Sequence, residues 1–204
     1  MKNIALFTAS TLLLLLMGCS SETPAPQKKA EEKPPEPVTG RQALQNMYIA
    51  ARGWAADIQP LKLTSILLPE VKAVPGKAAA WEAIFVSASQ GKARSYTYSV
   101  VESEGNLHKG VFAGSDQSWS GSAPTKPFPM AAIHHDSDEA YETALKKGAE
   151  YDKKNPGKPI MFLLEANSKF PDVSWRVIWG ESVGTSNFSV YVDASTGQYL
   201  ETMR

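Results

Sequence analysis

"SVYVDASTGQYLE", residues 189–201, alternates apolar and polar side chains, breaks at a Ser-Thr-Gly turn and resumes as a short second run. Alternation puts every second side chain on one face, so the stretch reads as an antiparallel hairpin with one side on a core. A degraded version, "TYSVVESEGNLHK", occupies residues 97–109. Extending both outward, "WEAIFVSASQGKARSYTYSVVESEGNL" from Trp81 lines up with "WRVIWGESVGTSNFSVYVDASTGQYL" from Trp175. With Gly105 set on Gly197, Tyr96 falls on Phe188, Tyr98 on Val190 and Val100 on Val192. A shorter hairpin loop in the second copy would absorb the difference in spacing between tryptophan and glycine.

Each strand-rich region follows a helical pattern. Leu44, Met47, Tyr48, Ala51 and Ala55 recur at helical spacing, predicting a helix over 41–56, with Thr39 and Gln42 spaced as a capping box. Downstream, Asp136 and Glu139 form a second box, and Ala140, Tyr141, Ala144, Leu145, Gly148 and Tyr151 supply the inner face of a helix stopped by Pro156 and Gly157. The expected fold class is therefore α+β: two repeated units, each a helix packed on a three- or four-stranded antiparallel sheet. The units span 39–115 and 131–204, with a connecting loop at 116–130. Trp81, Ala83, Phe85, Tyr96, Tyr98 and Val100 would fill one core, and Trp175, Val177, Trp179, Phe188, Val190 and Val192 the other.

The N-terminus addresses location. A run of apolar residues from Ile4 to Met17 follows Lys2 and precedes Gly18 and Cys19. It is shorter than the ~20 residues a spanning helix needs and has the tripartite form of an export signal. "LMGC" at 16–19 resembles the lipobox of bacterial lipoproteins, which implies cleavage after residue 18 and lipidation of Cys19. Cys19 is the single cysteine of the chain, so it serves no intramolecular disulfide. Two or three acyl chains, at ~0.8 kcal/mol per buried methylene, would tether the protein to a membrane without spanning it. Ser20 stands where an aspartate would resemble an inner-membrane retention signal, so the expected site is the outer membrane, facing the periplasm. Residues 19–38, rich in proline and mixed charge, form the tether.

"VYVDASTGQYL" at 190–200 is similar to the signature of PepSY domains, small α+β modules of protease propeptides and exported bacterial proteins. Its turn chemistry is intelligible: Asp193 can accept turn N–H groups, and Gly197 can supply a positive φ. The first copy departs from it, with Val101 in place of the aspartate. The resemblance implies a non-catalytic role, binding or inhibiting a protease or another envelope protein. Similar tandem units in β-lactamase-inhibitor-like proteins and in envelope-assembly lipoproteins leave an assembly or structural role as the alternative.

Composition excludes some classes. The 204 residues carry 21 basic and 21 acidic side chains with no long basic run, so no nucleic-acid footprint is present. No nucleophile, phosphate-loop or zinc-protease motif occurs, and the expectation is no enzyme and no cofactor. "HHDSDE" at 134–139 keeps a metal-dependent enzyme as a distant alternative, although His134 and His135, adjacent on an extended backbone, would point to opposite sides. His108 stands alone and reads as solvated. The expected solvent face of the sheets carries Glu82, Arg94, Ser95, Thr97 and Ser99 in one copy and Arg176, Ser189, Tyr191 and Asp193 in the other. Candidate partner contacts are Arg94, Arg176 and Tyr191 on that face, with Trp119 and Phe128 in the connecting segment as apolar anchors or as a plug between the halves.

Overall fold

In the computed structural model of the protein, residues 34–105 and 107–204 are described; Cys19, the export signal and the first part of the tether, all within residues 1–33, lie outside them. Helix α1 (Gly40–Ala51) precedes strands β1 (Gln59–Ile66), β2 (Ala80–Ser87), β3 (Lys92–Ser99) and β4 (Gly110–Ser118). Helix α2 (Ser137–Lys154) precedes β5 (Ile160–Glu165), β6 (Ser174–Trp179), β7 (Ser189–Asp193) and β8 (Tyr199–Met203). The fold is α+β as expected, but the strands form one eight-stranded antiparallel sheet ordered β4-β3-β2-β1-β5-β6-β7-β8. Each group of four is a meander, and the two meet because β1 pairs with β5, Leu63 opposite Leu164.

Both helices cover one face. The shared core takes Leu44 and Met47 from α1, Ala140 and Ala144 from α2, and Trp81, Phe85, Phe162, Trp175 and Trp179 from the sheet. All six expected core residues of the second region are buried, whereas Tyr98 and Val100 of the first are only partly so. Trp81 and Trp175 meet in the middle, edge to face with ring centroids 6.3 Å apart, a geometry that adds to their area burial. Their indole N–H groups are used alike. Trp81 donates to the Val38 carbonyl at 3.2 Å and Trp175 to the His135 carbonyl at 2.9 Å, in each case the residue before a helix N-cap.

Four expectations need correction. The pairing of Tyr98 with Val190 is displaced by one pleat: Trp81 faces Tyr98 and Trp175 faces Val192, so Val192 stands where Tyr98 does. The extra length of the first region therefore lies in its β3–β4 turn, not in the β2–β3 hairpin. A slip of two residues keeps every side chain on its face, which is why alternation could not reveal it. The connecting loop at 116–130 begins inside β4, which runs to Ser118 and is exposed along nearly its whole length. An edge strand with no buried face has no apolar alternation to read. Third, α1 ends at Ala51 rather than near 56, as the amides of Gly53 and Trp54 turn back to the carbonyls of Ala50 and Ala51.

The fourth concerns the caps. Asp136 and Glu139 form the expected box on α2. The Thr39 side chain caps nothing. Instead the Gly40 amide donates to Ser137 Oγ at 2.9 Å and the Arg41 amide to Asp136 Oδ1 at 2.8 Å. The orphan donors of α1 are thus satisfied by residues at the start of α2. Gly40 is required there, because a Cβ would overlap the Trp175 indole and lie 3.0 Å from Trp81 Cη2.

Candidate functional site

The candidate contacts identified from sequence do not converge. Phe128 is 3% exposed in the helix-side core, with its amide donating to the Pro60 carbonyl, so it is a packing residue and is closed to a partner. Arg94 lies opposite Phe85, on the helix side with Tyr96 and Tyr98, which corrects its assignment to the solvent face. Its guanidinium sits 4.9 Å from the Trp54 ring centroid and 2.6 Å from Asp116 of β4. Arg94, and then Lys92 at 2.9 Å, hold the Asp116 carboxyl below the usual range. This cluster fastens the edge strand to β3.

Trp119 folds beneath the opposite face onto Leu61, Val86 and Ala93. Its amide donates to the Gly91 carbonyl at 2.9 Å, while its buried indole N–H has no partner among the described residues. Arg176 and Tyr191 do share the outer face, in register across β6 and β7. Arg176 Nε donates to Ser189 Oγ at 2.9 Å, and Phe170 packs against Tyr191 with ring centroids 4.7 Å apart. Tyr191 is only 6% exposed, and burial pushes its phenol up. With Ser99 and Ser189 buried as well, much of the face expected to be wet is covered.

The segment with the histidines is a structural clamp. The amides of His134 and His135 both donate to the Ala194 carbonyl at 2.9 Å, and the His135 ring lies over Gly197 and 3.4 Å from Glu139. Among the described residues no group of three or more His, Cys, Asp or Glu side chains is gathered for a metal. Asp193 Oδ1 accepts from the Ser195 amide at 2.8 Å and the Thr196 amide at 2.9 Å, and Gly197 has φ of 71°. Burial raises the Asp193 pKa, but these donors outweigh it and hold the carboxyl below its usual range. His108, which reads as solvated in the sequence, has Nδ1 2.6 Å from Glu102, and its ring packs on Phe112 with centroids 4.5 Å apart.

Sequence patterning missed what the sheet order exposes. Among the described residues the exposed large hydrophobic side chains are Phe112 of β4, Tyr199, Leu200 and Met203 of β8, and Ile49 of α1. All but Ile49 lie on the two terminal strands, where one row of backbone N–H and C=O groups has no neighbouring strand among the described residues. Phe112 is 53% exposed and continues an outer row through Thr97, Glu82 and Thr64. The clue in the sequence was apolar residues outside any buried pattern.

No helix among the described residues is long and apolar enough to cross a membrane. No family model matches the chain, and no curated protein matches it in sequence. A crystal structure of a candidate lipoprotein from Clostridium difficile 630 is similar in fold at 10% sequence identity, with a TM-score of 0.51 over 84% of this chain and 95% of that one.

Proposed function

We propose that the protein is a lipid-anchored, non-catalytic binding or regulatory lipoprotein of the bacterial envelope, held through Cys19 at the outer membrane and facing the periplasm. Its partner is another envelope protein, with a protease as the first class to test. The carrying observation is that the exposed apolar side chains of the sheet gather on its open edges, Phe112 on one and Tyr199, Leu200 and Met203 on the other. An open edge can accept an added strand through its free backbone groups, and the side chains beside it set specificity. Exposed apolar groups at such a place indicate interaction more than those scattered singly.

We also read the chain as two PepSY-like halves. The matched indole bonds of Trp81 and Trp175 and the repeated order of one helix and four strands support this reading.

The test is a crosslinking capture from native envelopes with the intact lipidated protein and its Phe112→Ser, Tyr199→Ser and Trp119→Ala variants. Edge substitutions on exposed side chains should change stability by no more than ~0.5 kcal/mol. At a binding hot spot they should weaken a stoichiometric partner by about 2 kcal/mol or more. Trp119→Ala should lower the melting temperature instead, since Trp119 packs on Leu61 and Val86. Capture that survives both edge variants would reject the edges as the docking site.

A further inference from the structure

A cavity of about 480 Å³ opens where β1 ends and β5 begins. Its bounds are the long β1–β2 connection, residues 67–79, the Tyr141 side of α2, and the α2–β5 turn at 157–160. Its walls are chiefly apolar, with Val71, Ile160 and Phe162 among them. Its charged lining is Lys72, Lys77 and Lys158, with no Asp or Glu, in a chain whose acidic and basic residues balance at 21 each. All three lysines are exposed, so their stems border the cavity while their ammonium groups remain in water. None forms an ion pair among the described residues; Lys158 Nζ donates to Tyr151 Oη at 2.9 Å.

The connection is fixed in place. Val38 and Ala78 exchange two backbone hydrogen bonds of 3.0 Å, and Ser137 Oγ donates to the Gly76 carbonyl at 2.6 Å. The volume falls in the ~300–1,000 Å³ range of small-molecule sites. A sugar or nucleotide would need polar groups within the walls, where Tyr141 brings the sole side-chain hydroxyl. An uncharged hydrocarbon would not account for an all-basic rim.

We propose that this cavity binds a long-chain fatty acid, with the alkyl chain against Val71, Ile160 and Phe162 and the carboxylate at the lysine rim. The corresponding β5–β6 connection, residues 166–173, is shorter, and the cavity is built by both halves, its loop from the first and Tyr141, Lys158, Ile160 and Phe162 from the second.

The test uses the full chain in detergent and a photoactivatable palmitate analogue, with crosslinked peptides mapped by mass spectrometry. Labelling should concentrate in residues 66–79 and 157–162, compete with unlabelled palmitate and resist dodecylamine, which offers the same tail with the opposite charge. The triple variant Lys72→Gln, Lys77→Gln, Lys158→Gln should fold with an unchanged circular dichroism melt and bind about fivefold more weakly, the scale of a few exposed charge pairs. A Val71→Trp variant, which fills the cavity from its loop, should abolish specific labelling. Label spread evenly over the surface, equal competition by dodecylamine, or undiminished labelling of the folded triple variant would each overturn the proposal.

Discussion

The two helices begin differently, though each follows an N-cap and an indole-bonded carbonyl. α2 carries its own capping box, while α1 takes its first donors' partners from Asp136 and Ser137 of α2. The halves are therefore unequal where the starts of their helices meet. One can cap itself, and the other is completed by its neighbour. Similar elements need not be independently stable once they share a core, because the shared contacts remove the pressure on each to satisfy its own backbone groups.

The largest test of this comparison is the central tryptophan pair. Trp81→Ala and Trp175→Ala should each destabilise by about 3–5 kcal/mol, the usual range for a buried aromatic. The double variant should fall short of the sum, because the rings are in contact. Full additivity in denaturant melts would mean that the halves have separate cores. Gly40→Ala should cost about 1–3 kcal/mol by overpacking the same indoles, despite alanine's better helix propensity. A neutral or stabilising outcome would show that the helix starts can move apart.

Next comes the cap. Asp136→Ala should cost about 2 kcal/mol, at the top of the range for one cap, since it removes acceptors from both helices. Thr39→Ala should be nearly silent, because its side chain caps nothing. Equal effects would restore the symmetric picture that the sequence suggests.

The smallest effect is electrostatic. Ser87 Oγ donates to Asp57 at 2.6 Å and the Ser89 amide at 2.8 Å, and together they lower its pKa from 3.8 to about 2. A carboxyl depressed in the folded state contributes stability that is present above its unfolded pKa and is lost as pH falls through the folded one. Asp57→Asn should therefore flatten the fall in melting temperature between pH 4 and pH 2. Asp193→Asn should do the same for the β7–β8 turn, whose aspartate is also lowered. An unchanged acid limb in both variants would remove these turns from the acid response.

Legibility followed burial. The core face of β6 and β7 was readable, since Trp175, Val177, Val190 and Val192 alternate against a core and Asp193 to Gly197 fixes the turn. β4 was not, because a strand open on both faces leaves no period. Arg94 was misplaced because a charged side chain suggests solvent, yet its parity with Tyr96 and Tyr98 already put it on the helix side. The merger of two sheets into one was unreadable: it depends on the partner of β1, and β1 carries no mark of whether its second edge is filled. The cavity was hidden for a similar reason, since residues 67–79 meet 157–162 only after β1 and β5 pair.

The exchange of hydrogen bonds between Val38 and Ala78 has a mechanical consequence. Any pull transmitted through the residues before Pro34 enters the fold at Val38, whose carbonyl also holds the Trp81 indole. The load thus arrives at the middle of the molecule rather than at a fraying end. Tension applied through that end of the chain would strain the central tryptophan pair first, making the point of entry and the core a single element under force.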